Sequence, residues 1–152
     1  MRVAAAALGV ACLVASIGGA AACTCRQPRP GDADFDAYQK DPQEWSFARA
    51  AIVVRGRILS VKTPGWWSSD DTVRATMRVT AVLKGVVPPG DLTLLTGSGG
   101  GDCGFGSDFE DIAGRPREVA LEIVPVKGTS EDKGAYGVGL CRYSDWTTAN
   151  GK

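Results

Sequence analysis

The stretch "TVRATMRVTAVL", Thr72 to Leu83, alternates without a break over its first ten residues. Val73, Ala75, Met77, Val79 and Ala81 are apolar, and Arg74, Thr76, Arg78 and Thr80 stand between them. Successive side chains of a strand point to opposite faces, so a period of two describes a strand with one face on a core and one toward water. Lys84-Gly85 closes it, Pro88-Pro89-Gly90-Asp91 turns the chain, and Leu92 to Thr96 reads as the next strand. Upstream, Ile52 to Val61 is β-branched and partly alternating, and Gly56 in its middle predicts a bulge or sharp bend. Thr63 to Asp71, with Trp66 and Trp67, joins the two as a hairpin tip.

Further strands are expected at Glu118–Val126 and at Ala135–Tyr143, separated by the turn "KGTSEDKG". Between strands three and four lies a run from Gly97 to Gly106 holding six glycines. It lacks the Lys-Ser/Thr of a phosphate-binding loop and opens no evident helix, so it reads as a plain glycine loop. Ahead of the first strand, Asp41-Pro42-Gln43-Glu44 sets an N-cap, a proline at the first helical position and a glutamate at the third. The predicted helix runs from Pro42 to about Ala50, with Trp45, Ala48 and Phe47 on a buried side. Residues 26–40 read as polar and turn-rich; Asp32 to Asp36 starts like a calcium loop but has Ala37 and Gln43 where Gly and Glu belong. Five short strands and one helix predict a mainly β chain, a small closed or nearly closed barrel. An oligonucleotide-binding-type barrel commonly carries its helix between strands three and four, so a helix before strand one is an unusual placement.

The chain has 152 residues, room for one modest domain after its first segment is set aside. Arg2 precedes an apolar run that closes on Ala20-Ala21-Ala22, a small-x-small site. Residues 1–22 read as a signal peptide cut before Cys23, leaving 23–152 as a secreted or periplasmic domain. Retention as a membrane helix is disfavoured by the run's modest length and its Ala/Gly content. Without Arg2, sixteen basic side chains face seventeen acidic ones. Such a balance leaves no basic footprint for nucleic acid. Histidine is absent, which excludes His-based triads, His–metal sites and His acid–base chemistry.

Of five cysteines, Cys12 leaves with the leader; Cys23, Cys25, Cys103 and Cys141 remain. An even number in an exported chain reads as two disulfides. A four-thiolate zinc site would normally show two close pairs, and Cys103 and Cys141 stand far apart. Cys23 and Cys25 are too close in sequence to bond comfortably, so each is expected to reach one of the two distant cysteines, in either order.

The ordered set of these features resembles the tissue inhibitors of metalloproteinases. The mature chain opens Cys-Thr-Cys. "AIVVRGRILSV" (51–61) is similar to the family's first strand, and "RVTAVLKG" (78–85) to its strand ending in Lys-Gly. "GDCGFGSDF" (101–109) resembles its Cys-Gly-aromatic segment, and "YGVGLCRYSDW" (136–146) the strand bearing the next cysteine. The resemblance implies a five-stranded OB-fold-type (netrin-like) barrel and the pairings Cys23–Cys103 and Cys25–Cys141. This sequence departs from the family in having two possible disulfides rather than three, no carboxy-terminal domain, and Gly99-Gly100-Gly101-Asp102 where bulkier residues stand. In these respects it is similar to shorter bacterial relatives.

The resemblance also implies a chemistry. A free Cys23 presents an α-amine and a carbonyl that together form a five-membered chelate on one metal ion. The amine's ordinary pKa of about 7.7–8.0 makes deprotonation easy near neutrality. On a protease's catalytic zinc the chelate displaces the nucleophilic water. The expected partner is thus a zinc metalloprotease, with no cofactor and no metal of the chain's own. Thr24 would enter the pocket beside the zinc. Cys25, Gly101 and Asp102 would complete the ridge, and Trp66 and Trp67 would widen the contact. The bland readings are that Cys23 and Cys25 only staple the barrel, that Thr24 is a spacer and that the tryptophans cover a flank. A lipid on Cys23 would leave an odd cysteine, so parity favours plain secretion of a monomer over a lipid-anchored form. A non-inhibitory envelope module binding protein or glycan is the alternative function. An enzyme is disfavoured, because nothing marks Asp102, Asp108 or Glu110 as a catalytic couple.

Overall fold

A computed structural model describes residues 25–65, 72–99, 103–128 and 132–146. Helices α1 (Phe35–Lys40) and α2 (Pro42–Arg49) precede strands β1 (Val53–Lys62), β2 (Val73–Lys84) and β3 (Asp91–Thr96). Helix α3 (Gly106–Ile112) follows, then β4 (Val119–Glu122), β5 (Val124–Pro125), β6 (Tyr136–Gly137) and β7 (Ser144–Asp145). The chain is mainly β. One sheet orders its strands β5-β6-β3-β2-β1-β4-β7, antiparallel throughout except for the parallel β3–β6 pair. β4 and β5 are separated by Ile123 alone, yet one pairs with β1 and the other with β6. The sheet is therefore curled round into a half-barrel.

Seven strands replace the expected five because the fourth breaks in two and a further short strand follows the fifth. The predicted fourth strand divides at Ile123, whose amide bonds to the Ile52 carbonyl at 3.1 Å rather than to a neighbouring strand's ladder. The predicted fifth, Ala135–Tyr143, shrinks to β6 because the chain leaves the ladder after Val138, and β7 lies just beyond the predicted span and far from β6 in the sheet. The alternation in β2 holds: Val73, Ala75 and Met77 are buried and Arg78 and Thr80 exposed, while the inward face loosens to half-buried at Val79 and Ala81.

Gly56 is a bend, as expected, with register shifts on either side of it. A Cβ at Gly56 would overlap the Arg78 carbonyl oxygen of β2, so only hydrogen fits there. Val54 and Ile58 of β1 point into the main core with Met77, Leu94, Phe109 and Leu121, all fully buried. Each such side chain contributes roughly 1.5–3 kcal/mol. Val53 points the other way, into a smaller cluster with Ala50, Ala120 and Tyr143 that α2 covers through Phe47. The Phe47 and Tyr143 rings meet edge to face at 5.2 Å.

Helix α2 begins where the capping signal placed it. The Asp41 carboxylate accepts from the Gln43 and Glu44 amides at 3.0 and 2.9 Å. At its other end, Lys84 Nζ donates to the carbonyls of Phe47 and Ala48 at 3.2 and 2.7 Å. Three helical expectations are corrected. Ala48 is exposed, and the half-buried residues of α2 are Trp45, Ser46 and Phe47. The turn-rich segment before α2 contains α1, held by Arg49 pairing back to Asp34 at 2.5 Å. The glycine run does open a helix: α3 buries Phe109 and Ile112 against the core. Among the described residues no helix is long and apolar enough to cross a membrane.

Candidate functional site

The base of the glycine loop is closed by backbone contacts. Gly106 N bonds to Gly97 O at 3.0 Å and Ser107 N to Ser98 O at 3.1 Å. A Cβ at Gly104 would overlap Gly97, so the two limbs touch backbone to backbone. The buried Thr96 hydroxyl accepts from Phe105 N at 2.8 Å and fixes where the loop re-enters the core. Phe105 and Phe109 pack on Trp146, with centroids 5.2 and 6.0 Å from it. The loop thus presents Cys103 at its edge in a left-handed conformation, φ 61°. Non-glycine residues seldom adopt that region.

Two further segments converge on Cys103. Its carbonyl accepts from Leu140 N at 3.0 Å. The next residue, Cys141, is disulfide-bonded to Cys25 with Cα atoms 5.0 Å apart. Residues from the chain's first, middle and last parts are joined within a few ångströms. Leu140 at the junction is 44% exposed, unusual for leucine. The charges nearby are Arg26, beside Cys25, and Arg142, whose Nη1 lies 3.5 Å from the Glu122 carboxylate. Glu122 also receives the Tyr143 amide at 3.3 Å. Burial, and then the charge of Asp145, hold the Tyr143 hydroxyl above its ordinary value near 10.

Of the positions expected at the site, the structure places Cys25, Cys103 and Cys141 together. Cys23, Thr24, Trp66, Trp67, Gly101 and Asp102 lie outside the described residues, as do the signal peptide and the Cys23–Cys103 bond. The described carboxylates Asp108 and Glu110 are exposed on α3, where Glu110 accepts a bond from the Thr63 hydroxyl. No cluster of three His, Cys, Asp or Glu side chains occurs among the described residues. Reasoning from sequence missed Thr96 and Leu140. A polar residue closing a strand ahead of a glycine run could have flagged Thr96. Leu140 carries no signal, because an apolar residue in a predicted strand reads as core.

No family model matches the chain, and no curated protein matches it.

Proposed function

We propose that residues 23–152 form an exported inhibitor of zinc metalloproteases acting through the amine and carbonyl of Cys23. The observation that carries this reading is the junction of Cys25, Cys141 and Cys103. A staple at Cys25 leaves the chain only two residues from Cys23, at the edge of the glycine loop. The Cys23–Cys103 pairing fits the same junction, and Cys103 is itself disulfide-bonded. We read the fold as an OB-type barrel. Counting β4 and β5 as one kinked strand and β6 as the last, the neighbours run 1-2-3-5-4-1, with α3 between strands three and four.

The physical case is pre-organisation. A free peptide loses conformational freedom when it docks on an active site. A terminus already bonded to the body of the protein has little left to lose. Its uncharged amine and carbonyl would bind the target's zinc in place of water and so remove the nucleophile. Thr24 would fill the adjoining pocket, with Cys25, Gly101, Asp102, Trp66 and Trp67 extending the contact.

The test compares the processed protein with a form carrying one extra alanine before Cys23, against a panel of zinc proteases. The processed form should inhibit at least one member, and the extended form should lose that inhibition because its amine no longer shares a five-membered ring with the Cys23 carbonyl. Equal inhibition by both, inhibition by neither, or an intact mass showing an acylated Cys23 would each refute the chelate.

A further inference from the structure

Three clefts meet at Trp45, on the face built from the residues after Cys25, helices α1 and α2, and the segment around Cys141. Their volumes are about 430, 380 and 250 Å³. Trp45 lines all three, and Arg26, Arg49 and Arg142 each line two. The two larger clefts contain their own carboxylates: Asp32 and Asp34 in the first, Glu122 in the second. The smallest contains none. Its walls bring Arg26 and Arg142 together with Gln27, Tyr38, Trp45 and Ser46, over a floor that includes the Cys25–Cys141 bond.

We propose that this third cleft binds a carboxylate-bearing sugar unit, a uronate. The cleft is lined by two guanidiniums and no carboxylate; Arg142 reaches Glu122 outside the lining through one nitrogen at 3.5 Å, which leaves its other donors for an anion beside Arg26. Arg49 is already taken by Asp34 at 2.5 Å, whereas Arg26 has no ion pair among the described residues. The rest of the lining is chemistry for hydroxyl groups: an aromatic wall, the hydroxyls of Tyr38, Ser46, Tyr143 and Ser144, and the amides of Gln27 and Gln43. Trp45 Nε1 is buried and has no hydrogen-bond partner among the described residues. An indole N–H only donates, so a group that opens onto it from the cleft would have to be an acceptor such as a sugar oxygen. The ring is also held still, with Tyr38 edge-on at 5.3 Å and the Arg49 guanidinium 5.0 Å from its centroid. The cleft is smaller than the roughly 300–1,000 Å³ of sites for drug-sized ligands, which suits one or two sugar rings.

Two other ligand classes fit less well. Phosphate is commonly held by free amides at a helix N-terminus. Here the Asp41 carboxylate occupies the Gln43 and Glu44 amides. An acidic peptide docks well by adding to a strand edge. The cleft's lone strand residue among those described, Ser144, already gives its carbonyl to Gln43 Nε2 at 2.9 Å.

The inference stands apart from protease inhibition, and its test involves no protease. Isotope-labelled protein, recovered after expression of the full sequence, is titrated with galacturonate, galactose, acetate, inorganic phosphate and a glutamate-rich peptide. The Trp45 indole N–H resonance, assigned through Trp45→Phe, is followed by NMR. Galacturonate should shift it saturably, and the other four should not. Arg26→Gln with Arg142→Gln should weaken binding by about tenfold or more, the loss expected for charge-assisted bonds. Each single variant should weaken it measurably, and Arg115→Gln, outside the cleft, should leave it unchanged. No shift with galacturonate, an equal response to galactose, acetate or phosphate, tighter binding of the peptide, or undiminished binding by the arginine variants would overturn the assignment.

Discussion

Gly56 shows how much one hydrogen atom can decide. A methyl group there meets the carbonyl oxygen of Arg78, which β2 holds in the ladder and cannot withdraw. Gly56→Ala should lower stability by about 3 kcal/mol, read as a shift of the urea midpoint with unchanged slope. Gly90 provides the contrast. Its φ of 110° strains any side chain, but nothing lies within 4 Å, so Gly90→Ala should lose only about 1 kcal/mol. Tyr143 supplies a pH dependence. Its hydroxyl holds its proton more tightly folded than unfolded, because burial opposes the phenolate. The stability this gives is whole below about pH 10 and declines as the pH rises through the higher folded value. Tyr143→Phe should therefore flatten the fall of the urea midpoint above about pH 10, relative to the parent protein.

Helix α2 is short and has no fully buried residue, so its ends matter. Asp41→Ala should remove about 1 kcal/mol by freeing two amides, and Lys84→Met a similar amount by freeing the carbonyls of Phe47 and Ala48. Thermal unfolding of the single and double variants checks both. Their effects should add, since the two groups hold opposite ends of the helix. This helix was legible in the sequence because its signals are local: a cap, a proline and a glutamate within four residues. β2 was legible because its period persists. Helix α3 was not, because it begins at Gly106 and rests on long-range contacts. Its first amides bond to Gly97 and Ser98, and its apolar residues find a core that other strands build. The breaks at Ile123 and after Gly137 were invisible for the same reason. A local pattern states which residues favour extended chain, while the partner across the ladder decides where pairing stops.

The whole molecule is tied across nearly its full described length by the Cys25–Cys141 bond, with a sequence separation of 116. Cross-linking so long a segment constrains the unfolded chain by about 5 kcal/mol in the chain-entropy picture. Replacing both cysteines by serine should lower the thermal midpoint accordingly. It should also increase amide exchange at Arg26 and Gln27 more than at Val54 or Leu94, which the core retains. Of the candidate site, sequence reasoning reached Cys25, Cys103 and Cys141. Two cysteines one residue apart must look elsewhere for partners, which left either order open; the Cys25–Cys141 bond is the order that the family resemblance implied. The clefts around Trp45 escaped it. Arg26, Arg49 and Arg142 belong to three unrelated segments, and only the curled sheet with α2 on its flank brings them to one indole.

The same bond fixes an order of events during synthesis. A ribosome delivers Cys25 more than a hundred residues before Cys141. Until the later thiol emerges, the leading segment has nothing to latch onto. A nascent or prematurely terminated chain that stops short of that point presents a front end without its clasp. Any activity that depends on a fastened leading segment is thereby reserved for chains translated past Cys141.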